Sequence, residues 1–169
     1  MPVLSGNDIR RLIKQKPPLI EGWINLDEQV QTNGFDLTLR DIAEMKSAGR
    51  IMAANIQRVV SDLSPLAFDG TDCIHLAAGI YMVTYNEIVH LPKNIMAFGR
   101  PRSSLLRCGV NVGTAVWDAG YEGRSQSLLV VHNPRGFQVQ KNARVTQLVF
   151  MELTGESEGY NGVYQRENI

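Results

Sequence analysis

Apolar residues recur at helical spacing near the start of the chain. Within residues 5–16, SGNDIRRLIKQK, Ile9, Leu12 and Ile13 fall at i, i+3 and i+4 and predict a short amphipathic helix. Ser5 stands where an N-cap belongs, Asp8 follows in the first turn, and Pro17-Pro18 ends the segment. Residues 19–31 show no clear period, and Asn33-Gly34 marks a turn. Asp36-Leu37-Thr38-Leu39 then alternates as a strand, with Leu37 and Leu39 on one face and Asp36 and Thr38 on the other. Residues 40–60 mix charges with weak periodicity. Arg40 to Ala53 has room for a helical stretch, and no role follows from it.

From Cys73 onward the period is that of strands. The stretch IHLAAGIYMVTYNEIVHLPKNIMAFG alternates β-branched and aromatic residues with others, punctuated by Gly79 and Pro92-Lys93-Asn94, and predicts two or three antiparallel strands. Tyr81, Val83 and Tyr85 share one face, as core or interface packing does. Val110 to Val116 alternates around Gly113 and reads as a tight hairpin or bulge. Leu128 to Val131 is a fully apolar strand, Asn133-Pro134-Arg135-Gly136 a turn, and Phe137 and Val139 a further strand. Lys141-Asn142 turns again, and Val145 to Leu153 closes the sheet. Many short strands at roughly ten-residue spacing predict a mainly all-β fold, an antiparallel β-barrel or jelly roll carrying a short N-terminal helix. The polar end, GESEGYNGVYQRENI, has only Tyr160, Val163 and Tyr164 as anchors and reads as a tail that stays mobile until something orders it. The expected organisation is one β domain over 1–153 and a tail over 154–169.

With 169 residues, 44% of them hydrophobic, the chain can bury a real core. Lys+Arg and Asp+Glu balance at 17 each, so no overall field favours nucleic acid or acidic membranes. Cys73 and Cys108 form no CxxC pair and fit reduced thiols in a cytoplasmic protein. No signal peptide or long apolar run stands out, so neither export nor membrane spanning is expected. His75, His90 and His132 show no metal-ligand spacing, and the His-x-Glu with Pro-Cys-x-x-Cys of zinc deaminases is absent.

Chemistry concentrates between Gly99 and Gly123. Arg100, Arg102, Ser103, Ser104 and Arg107 place guanidinium forks and hydroxyl donors within eight residues, a composition suited to phosphate. Asp118 follows, then Gly120, Tyr121 and Gly123. Arginines and serines in a row are in most proteins a solvated turn, and Asp-Ala-Gly alone is ordinary turn chemistry. Together, a carboxylate beside a cationic cradle can orient and deprotonate water for hydrolysis of a phosphorylated small molecule.

PRSS at 101–104 and VWDAGYEG at 116–123 resemble the second and third motifs of the trimeric dUTPase and dCTP deaminase superfamily. NGFDLTL at 33–39 resembles its first motif and RVTQLVF at 144–150 its fourth. The resemblance implies a distorted β-barrel of the dUTPase type, working as a homotrimer with sites shared between subunits. It implies that Asp118 positions the water that attacks the α-phosphorus and that Tyr121 packs on the deoxyribose. Arg102, Ser103, Ser104 and Gln147 would hold the phosphates, Arg107 would bind substrate as the last member of an Arg-Ser-Ser-x-x-Arg cluster like that of the deaminase branch, and the stretch from Asn111 through Gly113 to Thr114 would present backbone groups to the uracil edge. Mg²⁺ is the implied cofactor, with few or no direct protein ligands and Asp36 holding one of its waters. Tyr160 or Tyr164 would close over the nucleotide.

Two activities run on this scaffold, and the residues discriminate between them. The deaminase branch uses a glutamate after the third motif to move protons at the cytosine ring, and its place here falls on Leu128 or Leu129. Leucine moves no proton, and losing a general acid/base typically costs ~10²–10⁴-fold. Hydrolysis of dUTP to dUMP and diphosphate is therefore the expected activity, with dCTP deamination, alone or coupled to hydrolysis, as the alternative. The opening VLSGNDI and the ending YNGVYQ resemble deaminases more than stand-alone dUTPases, and Trp117 stands where Ile or Val is common. A non-catalytic nucleotide binder is the third reading, and the intact Asp118 and Tyr121 speak against it.

Overall fold

The computed structural model describes residues 2–169. Its elements are α1 (Gly6–Ile13), β1 (Ile20–Glu21), α2 (Leu26–Gln29), β2 (Val30–Gln31), β3 (Gly34–Met45), β4 (Leu63–Pro65), β5 (Cys73–Leu76), β6 (Gly79–Tyr85) and β7 (Ile88–His90). There follow β8 (Ile95–Pro101), α3 (Ser103–Arg107), β9 (Val110–Gly113), β10 (Val116–Trp117), β11 (Glu122–Gly123), β12 (Gln126–Val131), β13 (Phe137–Gln140) and β14 (Arg144–Glu152). The mainly β architecture agrees with the strand periodicity.

Helix α1 is built as its sequence suggests. Ser5 accepts from the Asp8 backbone N–H and Asp8 reaches back to Ser5, a complete capping box, while Ile9 is fully buried. It ends at Ile13, three residues short of the expected Lys16.

One curled sheet of nine strands dominates. Its path runs β10-β8-β14-β3-β6-β12-β9, with β2 and β4 also pairing to β3. Strands β9 and β10 are separated only by Thr114 and Ala115, yet they occupy opposite ends of that path. The sheet must therefore curl until its ends approach, and Thr114 Oγ1 closes the seam by donating to the Gly99 carbonyl at 3.3 Å. The expected hairpin around Gly113 is thus not formed: β9 pairs with β12 and β10 with β8. The alternation in Val110 to Val116 is real, but the partners that satisfy it lie far off in sequence. A Cβ on Gly99 would fall 2.8 Å from the Trp117 ring, so glycine is required where the two ends meet.

The core fills the inside of the curl with Phe35, Leu37, Leu39, Val83, Tyr85, Leu129, Leu148 and Phe150, all buried. The first six residues of β3 are buried on both faces, which makes the first-motif strand the sheet's central member. No helix forms between Arg40 and Ala53; β3 continues to Met45, pairing with β6 and β4. Available strand partners outweigh the weak helical period there. Residues 46–62 extend beyond the sheet as an arm closed by the Arg50–Val59 bridge, with Ile51 at 77% and Ile56 at 94% exposure. The stretch 19–31 is not irregular: it contains β1, α2 and β2. Among the described residues, no helix is long and apolar enough to cross a membrane. Both cysteines are free thiols.

Candidate active site

The sheet brings the first and fourth motifs onto one rung, beside the residue that precedes the second. Across β3, β14 and β8, Gln147 faces Asp36 on one side and Arg100 on the other. The chain then leaves β8 through Arg102 into α3, which presents Ser103 and Ser104 in its first turn, both exposed. Asp36 is only 1% exposed. Arg102 Nε stands 2.9 Å from Asp36 Oδ2 and Arg144 Nη1 lies 3.7 Å from it. Neither Asp36 oxygen has an aligned hydrogen-bond donor among the described residues, so the Arg102 contact is charge attraction out of line for a bond. Burial pushes the Asp36 carboxyl up, and the Arg102 and Arg144 guanidiniums oppose that shift. Arg107 turns back onto its own helix, donating to the Ser103 carbonyl at 3.1 Å.

The third motif builds a second cluster. Asp118 is exposed in the turn after β10, at the mouth of a ≈ 190 Å³ cavity also lined by Trp117, Tyr121, Tyr160 and Tyr164. Trp117 forms its floor, donating Nε1–H to Ser125 Oγ at 2.9 Å. Tyr121 is buried, edge-on to Tyr160 with ring centroids 5.8 Å apart, and its hydroxyl donates to Glu167 at 2.8 Å. Burial and the Glu167 carboxylate both push that hydroxyl's pKa up, so it stays a donor.

Asn111 and Gly113 line a third, separate cleft with Arg100, Pro101 and Thr114. Strand β9 ends the sheet path, so one edge of its backbone has no strand neighbour. The face of β12 beside it carries Gln126, Leu128 and Val130, whereas Leu129 points into the core. None of the six residues of β12 is acidic, so no register of this strand places a carboxylate there.

The tail lies along the third-motif turn. Tyr160 N–H donates to the Ala119 carbonyl at 2.8 Å and Arg166 N–H to the Glu122 carbonyl at 2.7 Å. Gln165 bonds the turn twice, accepting from Glu122 N–H and donating to the Gly120 carbonyl, each at 3.0 Å. The approach is close enough that a Cβ on Gly120, whose φ is +85°, would meet Gly159 Cα at 2.7 Å. Composition alone suggested a loose end; the unpaired backbone groups of residues 119–124 supply the partners it lacked.

One chain therefore gathers Arg102, Ser103, Ser104, Gln147 and Asp36 in one place and Asp118, Tyr121, Tyr160 and Tyr164 in another. Sequence reading missed Arg144 as a second cation beside Asp36, although it opens the fourth motif. It also missed the role of Gln165, which ends the YNGVYQ stretch, and Glu167, which lies beyond it.

Tail docking is expected to depend on pH through Glu167. Burial pushes its carboxyl above the ordinary 4.5, against the opposing Tyr121 hydrogen bond. A raised value in the docked state means that docking takes up a proton, so the contact is firmest below the ordinary value and weakens as pH rises through the docked one. Amide exchange at Arg124 and Arg166, followed from about pH 4 to about pH 7, is expected to lose protection beyond the intrinsic base-catalysed rise. Unchanged protection over that range rules the linkage out.

The chain resembles known proteins throughout. The family model described as dCTP deaminase-like matches residues 3–153. A Methanosarcina mazei protein named "probable deoxyuridine 5'-triphosphate nucleotidohydrolase" is 52% identical over 99% of both chains. One of the same name from Archaeoglobus fulgidus is 49% identical over 100% of this chain and 99% of its own. The crystal structure of 2'-deoxycytidine 5'-triphosphate deaminase from Agrobacterium tumefaciens shares the fold at TM-score 0.64 and 23% identity, covering 88% of this chain and 47% of that one. With a match spanning all four motif strands, the chain belongs to the dCTP deaminase-like family.

Proposed function

We propose that this protein hydrolyses dUTP to dUMP and diphosphate. The observation that carries the reading is an exposed Asp118 carboxylate at a tyrosine-lined cavity, on a scaffold whose β12 offers no acid to the base. The names of the archaeal relatives, which match this chain nearly end to end, support it.

In the proposed reaction Asp118 orients a water and accepts its proton as the oxygen attacks the α-phosphorus. The bond from that phosphorus to the bridging oxygen breaks, and diphosphate leaves with the electron pair. Arg102, Ser103, Ser104 and Gln147 hold the phosphates, with Arg107 at the rim of the same helix. Phosphate oxygens compete with Asp36 for Arg102, and the Asp36 carboxylate so released would help to hold Mg²⁺ through water. The residues fit Mg²⁺ in this sense: the buried Asp36 carboxylate has unfilled acceptor capacity. Bound Mg²⁺ would neutralise phosphate charge while keeping most of its waters. The free edge of β9, from Asn111 to Gly113, reads the uracil edge; an unpaired buried group on cytosine would cost about 1–3 kcal/mol. Tyr121 packs on the deoxyribose, and Tyr160 or Tyr164 covers the base once the tail rearranges.

The cradle residues lie on β3, α3 and β14 and the Asp118 cavity on the third-motif turn and the tail, an arrangement that supports a site completed between copies of a homotrimer. Exposed Ile80 on β6 and the arm residues Ile51 and Ile56 supply apolar surface for that contact. The working location is the cytoplasm.

Incubation with dUTP and dCTP side by side tests the assignment. Mg²⁺-dependent diphosphate release from dUTP, with no uracil nucleotide formed from dCTP, is expected. Substantial turnover of dCTP would establish deamination, and tight dUTP binding without hydrolysis over hours would reduce the protein to a binder.

A further inference from the structure

The central strand β3 has a gap along one edge. Its first residues pair with β2 at Gly34 and Phe35, and its later ones pair with β6 from Leu39 onward. Between them Asp36, Leu37 and Thr38 have no strand neighbour on that side among the described residues. On the other side β14 bulges at the same level, its register shifting between Arg144 and Thr146. This is the segment that carries the first-motif aspartate, and the ladder holds it from the β14 side alone.

Two buried side chains fill the gap. Glu87, in the turn between β6 and β7, is fully enclosed. Its carboxylate accepts from Thr38 N–H at 2.9 Å, from Thr38 Oγ1–H at 2.6 Å and from Gln29 Nε2–H at 2.6 Å. The same Gln29 nitrogen donates to the Asp36 carbonyl at 2.8 Å. Gln29 is itself fixed from α2, its Oε1 accepting from the Ile24 and Asn25 backbone N–H groups at 2.7 and 2.8 Å. Of the backbone groups that a neighbouring strand would have paired, the Thr38 N–H and the Asp36 carbonyl are thus satisfied by a glutamate and the glutamine it orients, while the Thr38 carbonyl accepts from Asn86 N–H at 3.0 Å. Glu87 grips Thr38 directly and Asp36 through Gln29.

We propose that Glu87 is a positioning residue for the phosphate end of the site, holding Asp36 in register opposite Arg102 and Arg144. The proposal rests on the reading of Asp36 given above. A carboxylate suits this place because all three contacts donate to it, and those hydrogen bonds oppose the upward push that burial gives its pKa. Glutamine at position 87 would turn an N–H toward one of them, whereas aspartate would fall short by a methylene.

The test compares Glu87→Gln, Asp36→Asn and the double variant in the full-length protein. Each is assayed for kcat and KM with dUTP, for the Mg²⁺ concentration giving half-maximal rate, and for Kd toward the non-hydrolysable α,β-imido analogue of dUTP with and without Mg²⁺. Supporting shells of this kind typically contribute about 10–100-fold. Glu87→Gln is expected to lower kcat/KM by about that factor, to raise the Mg²⁺ requirement and to weaken analogue binding chiefly when Mg²⁺ is present. In the Asp36→Asn background the same change should add little, because it acts through the group already removed. A folded Glu87→Gln protein within about twofold of the parent, or losses that multiply in the double variant, overturns the proposal. If Asp36→Asn alone is fully active, the Asp36 reading falls first and this one with it. Should Glu87→Gln fail to fold, Thr38→Val removes one of the three donors and should move the same quantities in the same direction; no movement there overturns the proposal too.

Discussion

Replacing Asp118 by asparagine is expected to cut diphosphate release from dUTP by about 10²–10⁴-fold, the usual contribution of a positioned general base. The amide keeps the size of the carboxylate and loses its ability to take a proton. Asp118 is exposed and makes none of the core contacts, so stability should stay within about 0.5 kcal/mol of the parent. The loss should fall on kcat, because the phosphate cradle is built from other strands. Rate and thermal melting measured on the same preparation separate these effects. A stable and fully active Asp118→Asn protein would remove the assigned base, and with it the proposed mechanism.

Arg102→Ala should be the most damaging change for the fold and the cradle together. Asp36 is 1% exposed and Arg102 is its nearer cation at 2.9 Å. Removing one member of a buried pair commonly costs 3–5 kcal/mol, because the remaining charge stays out of water. Here Arg144 remains at 3.7 Å and Arg102 is partly solvated at 29%, so a loss of about 2–3 kcal/mol is expected in urea unfolding. Adding Asp36→Asn should restore most of that stability by neutralising the stranded carboxylate, without restoring dUTP hydrolysis. A single variant as stable as the parent would show that the pair is not held as described.

What could be read along the chain, and what could not, divides on the distance between partners. The capping box of α1 is local, three residues across, and it was legible. The motif strands were legible because alternation survives in any sheet. Their partners were not: residues 110–116 read as one tight hairpin or bulge, yet β9 and β10 belong to opposite ends of the sheet. Residues 40–45 carry no strong strand pattern and become one because β6 and β4 lie alongside. Asp36, Asp118 and Tyr121 were found through motifs. Glu87 was not, because Gln29 and Thr38 come to it across 58 and 49 residues, and the missing rung they replace exists only in the assembled sheet.

The arm beyond β3 carries a thermodynamic consequence. Ile51, Ile56 and Val60 face water in the lone protomer. Where further copies cover that hydrocarbon, association and folding share one equilibrium, and heat resistance climbs with protein concentration by mass action. Dilution then becomes a denaturing condition in its own right, and a melting temperature has meaning only beside the molarity at which it was taken.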